Sequence, residues 1–210
     1  METSTSNNRT IFEYLSALRS SSPTPGGGSA AAYAGAMGTS LAAMVCRLTL
    51  ASADLSTDHP LASAADRLDR LVEELSESAS QDEECYSRYR AAAALPRSTP
   101  EERQARGLAL QASLHTAAET PLLTARRALE ALSLAALVAE HGTKHALSDV
   151  DVAISLLTSS IDGALVFVAV NADSIKDENL AADLKRRAEE IRSDASAASK
   201  RAATMLGSRA

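Results

Sequence analysis

The chain has 210 residues, 45% of them hydrophobic but only 3% aromatic, with no Trp and a net charge of −6. That length suffices for one domain with its own core, and the acidic balance, pI about 5.3, speaks against a protein that grips a nucleic-acid backbone. Alanine supplies much of the apolar content and β-branched alternation is scarce, which predicts an all-α protein, a single-domain bundle of about six helices.

Residues 1–9 read as a polar, disordered tail without the hydrophobic region of a signal peptide, and residues 10–210 as one helical domain. Ile11 to Leu18 fits a short amphipathic helix. The run Ser22-Pro23-Thr24-Pro25-Gly26-Gly27-Gly28-Ser29 follows. Proline fixes φ and glycine opens positive φ, so this is a tight loop. Ser29 is the expected N-cap of a second helix reaching about Ala51. The loop either offers backbone N–H groups to an anion at that helix N-terminus or simply turns a corner; the residues alone leave both open. No Gly-Lys-Ser/Thr follows and no strand precedes, which excludes a Walker A loop and a dinucleotide fingerprint. Ala31, Gly35, Gly38 and Ala42 form a nearly flat face that admits a close helix neighbour.

After a polar break from Ser52 to Pro60, a third helix spans Leu61 to Ala94. Its apolar stripe includes Leu68, Leu71, Leu75, Ala79 and Cys85. Asp82 falls on that stripe. A carboxylate there is costly unless paired, hydrogen-bonded or protonated. A desolvated carboxyl titrates closer to neutrality and can exchange protons. The bland alternative is an ion pair with Arg47 or Arg88.

Leu95-Pro96 ends that helix, and Thr99, Pro100 and Glu102 supply N-cap, N1 and N3 of a fourth. It should reach about Glu140, with a kink at Pro121. Arg97, in the break, either meets an acidic ligand or is solvated. Ser148-Asp149 looks like a cap and a first-turn carboxylate for a fifth helix. That helix runs to Asn171 and is apolar almost all round, so it is the expected central, buried helix. Val150 to Val170 is long enough to span a bilayer, but Asp151 and Asp162 favour a core helix instead. The Asn171 amide can satisfy carbonyls freed at the helix end. The last helix runs from about Asp177. Cys46 and Cys85 lack CxxC or metal spacing and read as buried, reduced thiols of a cytoplasmic protein. The four histidines lack ligand spacing, so no metal is expected.

Taken in order and spacing, these landmarks resemble the cyclodeaminase/cyclohydrolase family of folate enzymes. The resemblance rests on Ser22 to Ser29 with its alanine helix, Met44-Val45-Cys46-Arg47-Leu48-Thr49, and Asp82-Glu83-Glu84-Cys85-Tyr86. It continues through Leu95-Pro96-Arg97-Ser98-Thr99-Pro100-Glu101-Glu102, Thr120-Pro121-Leu122, Ser148-Asp149 and Val170-Asn171. It implies an all-helical homodimer acting on a one-carbon-substituted tetrahydrofolate, with no cofactor and no nucleic-acid or membrane partner. The activity would be methenyltetrahydrofolate cyclohydrolase or formiminotetrahydrofolate cyclodeaminase. Asp82 would transfer the proton. Gly26, Gly27, Gly28, Ser29, Tyr86, Arg97, Ser148, Asp149 and Asn171 would line the substrate pocket. The chain departs from the family pattern in the lysine-free run Leu50 to Leu55, in Arg97 for Lys, and in Thr143 and Phe167 for Asn. These departures motivate the alternative of an inactive relative that binds folate or a protein partner.

Overall fold

The computed structural model describes residues 9–53 and 59–209. Among these are six α-helices and no strand: α1 Ile11–Leu18, α2 Gly27–Ala53, α3 Pro60–Ala93, α4 Pro100–His141, α5 Leu147–Ala172 and α6 Glu178–Arg209. Residues 1–8 of the expected tail and 54–58 of the polar break, including the end of the lysine-free run, lie outside the described residues. Arg9, the last residue of that tail, pairs with Glu83 at 3.4 Å.

Local chemistry sets most helix starts. Thr10 with Glu13 and Thr99 with Glu102 form complete capping boxes, the second with Pro100 behind it. Asp177 accepts from the backbone N–H groups of Asn179 and Leu180 at the head of α6. Two expected caps are corrected. Helix α2 begins at Gly27, and the Gly26 carbonyl already accepts from Ala30 N–H at 3.0 Å. Ser29 therefore sits inside the first turn, not at its cap. Ser148 likewise lies within α5, because a 3₁₀ turn, Lys144–Ala146, starts the helical path earlier and leaves Ala146 as a cap without a side-chain bond.

Helix α4 packs against α2, α3, α5 and α6, and continues through Pro121 to His141. The core is carried by fully buried leucines such as Leu61, Leu68, Leu71, Leu75, Leu122, Leu132 and Leu157, each contributing about 1.5–3 kcal/mol by burial. Helices α2 and α5 run antiparallel and very close. A Cβ on Gly35 would lie 2.6 Å from Ser160 Oγ, and one on Gly38 2.8 Å from the Ala153 carbonyl. The flat face of α2 is thus filled by α5. Helix α5 packs on α2, α4 and α6, yet Val152, Val166 and Val170 on its outer strip are 52–58% exposed. By length and composition alone, α2 and the segment 144–172 would suffice to cross a membrane, and 50% and 44% of their most apolar windows are buried inside the bundle.

Candidate active site

The Asp82 carboxyl rests on the first turn of α2. Its Oδ2 accepts the Ser29 N–H at 3.0 Å. A Cβ on Gly28 would lie 2.1 Å from Oδ1, so the carboxyl fills the place a side chain would take. A Cβ on Gly27 would lie 2.9 Å from Cζ of Phe167 on α5. No glycine in the chain adopts positive φ. The glycine run is therefore not there for left-handed backbone, as the loop reading expected. It lets two side chains, one from α3 and one from α5, touch the backbone of α2.

The anion site at this helix N-terminus is thus occupied by the protein's own carboxylate. Arg47 pairs instead with Asp69, and Arg88 with Glu84 at 2.7 Å; no ion pair to Asp82 occurs among the described residues. Burial raises the Asp82 carboxyl above the usual range, the Ser29 N–H pulls it back, and neighbouring Glu83 raises it further. Burial dominates because one hydrogen bond does not replace the water lost by both oxygens.

Helix α1 clasps this spot. Ser29 is fully buried; its hydroxyl donates to the Gly26 carbonyl at 3.0 Å and lies 2.9 Å from Tyr14 Oη. Tyr14 meets Tyr33 edge-on, ring centroids 4.8 Å apart. Sequence reasoning missed Tyr14; its signal was a tyrosine on the inner side of a short amphipathic helix directly before the loop. Cys85, one turn from Asp82, is buried with Sγ 3.2 Å from Thr120 Oγ1, and burial pushes its thiol up.

Asn171 has a defined duty. Pro121 lacks an N–H, which orphans the carbonyl of Ala117 inside α4. The Asn171 side-chain amide donates to that carbonyl at 2.7 Å. Tyr86 is partly exposed one turn beyond Asp82. The remaining expected pocket residues lie elsewhere in the chain. Arg97 is exposed in the α3–α4 loop, after a helical stretch that carries it about 18 Å past Asp82. Since Gly27 faces Phe167, Ser148 and Asp149 sit at the opposite end of α5, about 27 Å away. There, Thr143 N–H donates to Thr49 Oγ1 at 2.8 Å and ties the loop to the end of α2. One chain therefore gathers Asp82, the Gly26–Gly28 turn, Ser29, Tyr86, Phe167 and Asn171, but not Arg97, Ser148 or Asp149. Among the described residues no three His, Cys, Asp or Glu side chains gather as a metal site.

A groove of about 1360 Å³ runs along α1, α2 and α3, lined by Leu15, Tyr33, Met37, Met44, Val72 and neighbours. It reaches Tyr14, whose hydroxyl lies 2.9 Å from Ser29 Oγ.

Residues 10–190 match the family model described as formiminotransferase-cyclodeaminase. The chain belongs to that family. It is 35% identical over 195 residues to methenyltetrahydrofolate cyclohydrolase of Methylorubrum extorquens, which covers 92% of this chain and 94% of that one. It is 32% identical over 166 residues to formimidoyltransferase-cyclodeaminase of Gallus gallus, matching 79% of this chain but only 31% of that longer protein. The crystal structure of formiminotetrahydrofolate cyclodeaminase from Thermotoga maritima superposes with a TM-score of 0.81 at 25% identity, over 96% of this chain and 97% of that one. The formiminotransferase-cyclodeaminase family is thus all-helical here as in that relative, as the sequence landmarks implied.

Proposed function

We propose that this protein is a methenyltetrahydrofolate cyclohydrolase in which Asp82 acts as base and then acid. The observation that carries the reading is a half-buried carboxyl, raised toward neutrality, held by one backbone N–H and without a cation partner among the described residues. Hydrolysis needs such a group twice. Water adds to the methenyl carbon while the carboxylate takes its proton. The same carboxyl then hands the proton to N5 as the C–N5 bond breaks, while the hydroxyl of the adduct releases its own proton to solvent and becomes the formyl carbonyl on N10. Higher identity to the nearly fully covered cyclohydrolase, 35% against 25% for the nearly fully covered cyclodeaminase, supports this reaction over cyclodeamination, in which N10 attacks the formimino carbon and ammonia leaves.

The deciding assay offers the two substrates separately and follows the methenyl chromophore. Loss of the chromophore is expected. Its appearance from formiminotetrahydrofolate alone would make the protein a cyclodeaminase, and tight folate binding without turnover would make it an inactive relative. Because the base form starts the reaction, kcat/KM should rise with pH through the Asp82 ionisation, in a limb displaced above the ordinary carboxylate range. A limb near pH 4 would contradict a burial-raised carboxyl.

The working unit in this reading is a homodimer that completes the site. Ile11 and Phe12 are each 77% exposed, and Leu15, Met37 and Leu48 about half exposed, on α1 and α2. Asp149 lies about 27 Å below Asp82, and the midpoint, about nine residues along α2, is Met37. A two-fold axis there sets Ser148 and Asp149 of the partner subunit level with Asp82. Light scattering should give a dimer, and Met37→Glu a monomer without turnover. Mixing inactive Asp82→Asn and Asp149→Ala dimers should restore activity if two chains share each site; a mixture as dead as its parts would refute the sharing.

A further inference from the structure

We infer that Phe167 determines substrate recognition at the Asp82 site: its ring is the face on which the flat, cationic N–C–N unit of the substrate stacks. The inference rests on the folate reading above. The α2–α5 seam is otherwise built from small and aliphatic groups, Leu156 and Leu157 against Gly38 among them. Gly163 meets Ala31, Ser160 meets Gly35, and Gly38 lies against the Ala153 backbone. At the last step of that seam the chain places a phenylalanine, one of only two in 210 residues. The ring keeps Gly27 side-chain-free: Cζ and Cε2 stand 2.9 and 3.0 Å from where its Cβ would be.

The ring meets Gly27 through its edge and stays partly exposed. Asp82 occupies the corresponding place at Gly28. Successive residues of a helix project about 100° apart. A carboxylate from α3 and an aromatic ring from α5 therefore flank a bare stretch of backbone at the end of α2. That pairing suits a planar cation. The quadrupole of the ring attracts delocalised positive charge, and the carboxylate stands beside it to take a proton.

The ring favours the charged ground state, and that charge collapses when water adds. Losing the ring should therefore weaken binding without slowing the chemical step. Phe167→Leu should raise KM for methenyltetrahydrofolate about tenfold with kcat undiminished, and Phe167→Tyr should keep KM within about twofold of the parent. The inhibition constant of the neutral product, 10-formyltetrahydrofolate, should stay unchanged in Phe167→Leu. A contact between residues 27 and 167 further requires that Gly27→Ala raise KM in the parent but add nothing in Phe167→Leu. An unchanged KM in Phe167→Leu, or an equal rise in KM and in product inhibition constant, would overturn the inference. If the parent turns over neither folate, the cyclohydrolase reading fails by itself. Calorimetry with methenyltetrahydrofolate then decides: tenfold weaker binding by Phe167→Leu upholds the stacking face, and equal binding, or none by the parent, removes it.

Discussion

Asp82→Asn should cut turnover by about 10²–10⁴-fold while leaving the protein at least as stable at neutral pH. The first part follows from the loss of the carboxyl seated on the first turn of α2, which can both accept and return a proton. The second follows from linkage. The carboxyl is raised in the folded state by burial, so its contribution to stability is present below its unfolded pKa and is lost as pH rises through the folded one. At neutral pH the ionised group opposes folding. Asparagine keeps an acceptor for Ser29 N–H and removes the charge. Melting curves should show the variant equal to or above the parent at pH 7, with the gap closing below about pH 4. A lower melting temperature at pH 7 together with retained turnover would place Asp82 among structural residues.

Gly28→Ala should unseat the Asp82 carboxyl and with it the activity. The added Cβ would fall 2.1 Å from Oδ1, 2.5 Å from Cγ and 2.7 Å from Oδ2 of Asp82. The whole carboxyl must leave, taking the Ser29 hydrogen bond with it. Overpacking of this kind costs about 1–3 kcal/mol, which for a chain of this size lowers Tm by about 2–4 °C per kcal/mol. Turnover should fall about as far as in Asp82→Asn, and combining the two should bring little further loss, because both remove the same seated group. Gly107→Ala is the control, since nothing lies within 4 Å of its added carbon; there the better helix propensity should stabilise α4 by about 1 kcal/mol. A Gly28→Ala enzyme with full activity would show that the carboxyl need not sit on the α2 backbone to work.

Asp82 was legible as a candidate because a charge on an apolar 3.6-residue stripe is visible without a structure. Its partner was not, since Ser29 is 53 residues away in sequence. Asn171 was read as an amide for carbonyls freed at the end of its own helix, and it serves a different helix instead. The carbonyl in question, Ala117, is freed by Pro121 in another helix, and only the fold joins the three. Ser148 was misread as a cap because the sequence does not show that a 3₁₀ turn begins the helical path before it.

By itself the sequence determined what depends on neighbours within a turn or two: an all-helical chain, the Thr99 capping box, the breaks at proline and glycine, and the suspicion attached to Asp82. Tertiary structure alone decided what the glycine run is for. Read locally, three glycines mean conformational freedom. In the fold none uses it, and Gly27 and Gly28 are bare because a ring from α5 and a carboxyl from α3 stand where their side chains would be. Local sequence reports the torsional preference of a residue, whereas close approach is a property of the elements packed against it.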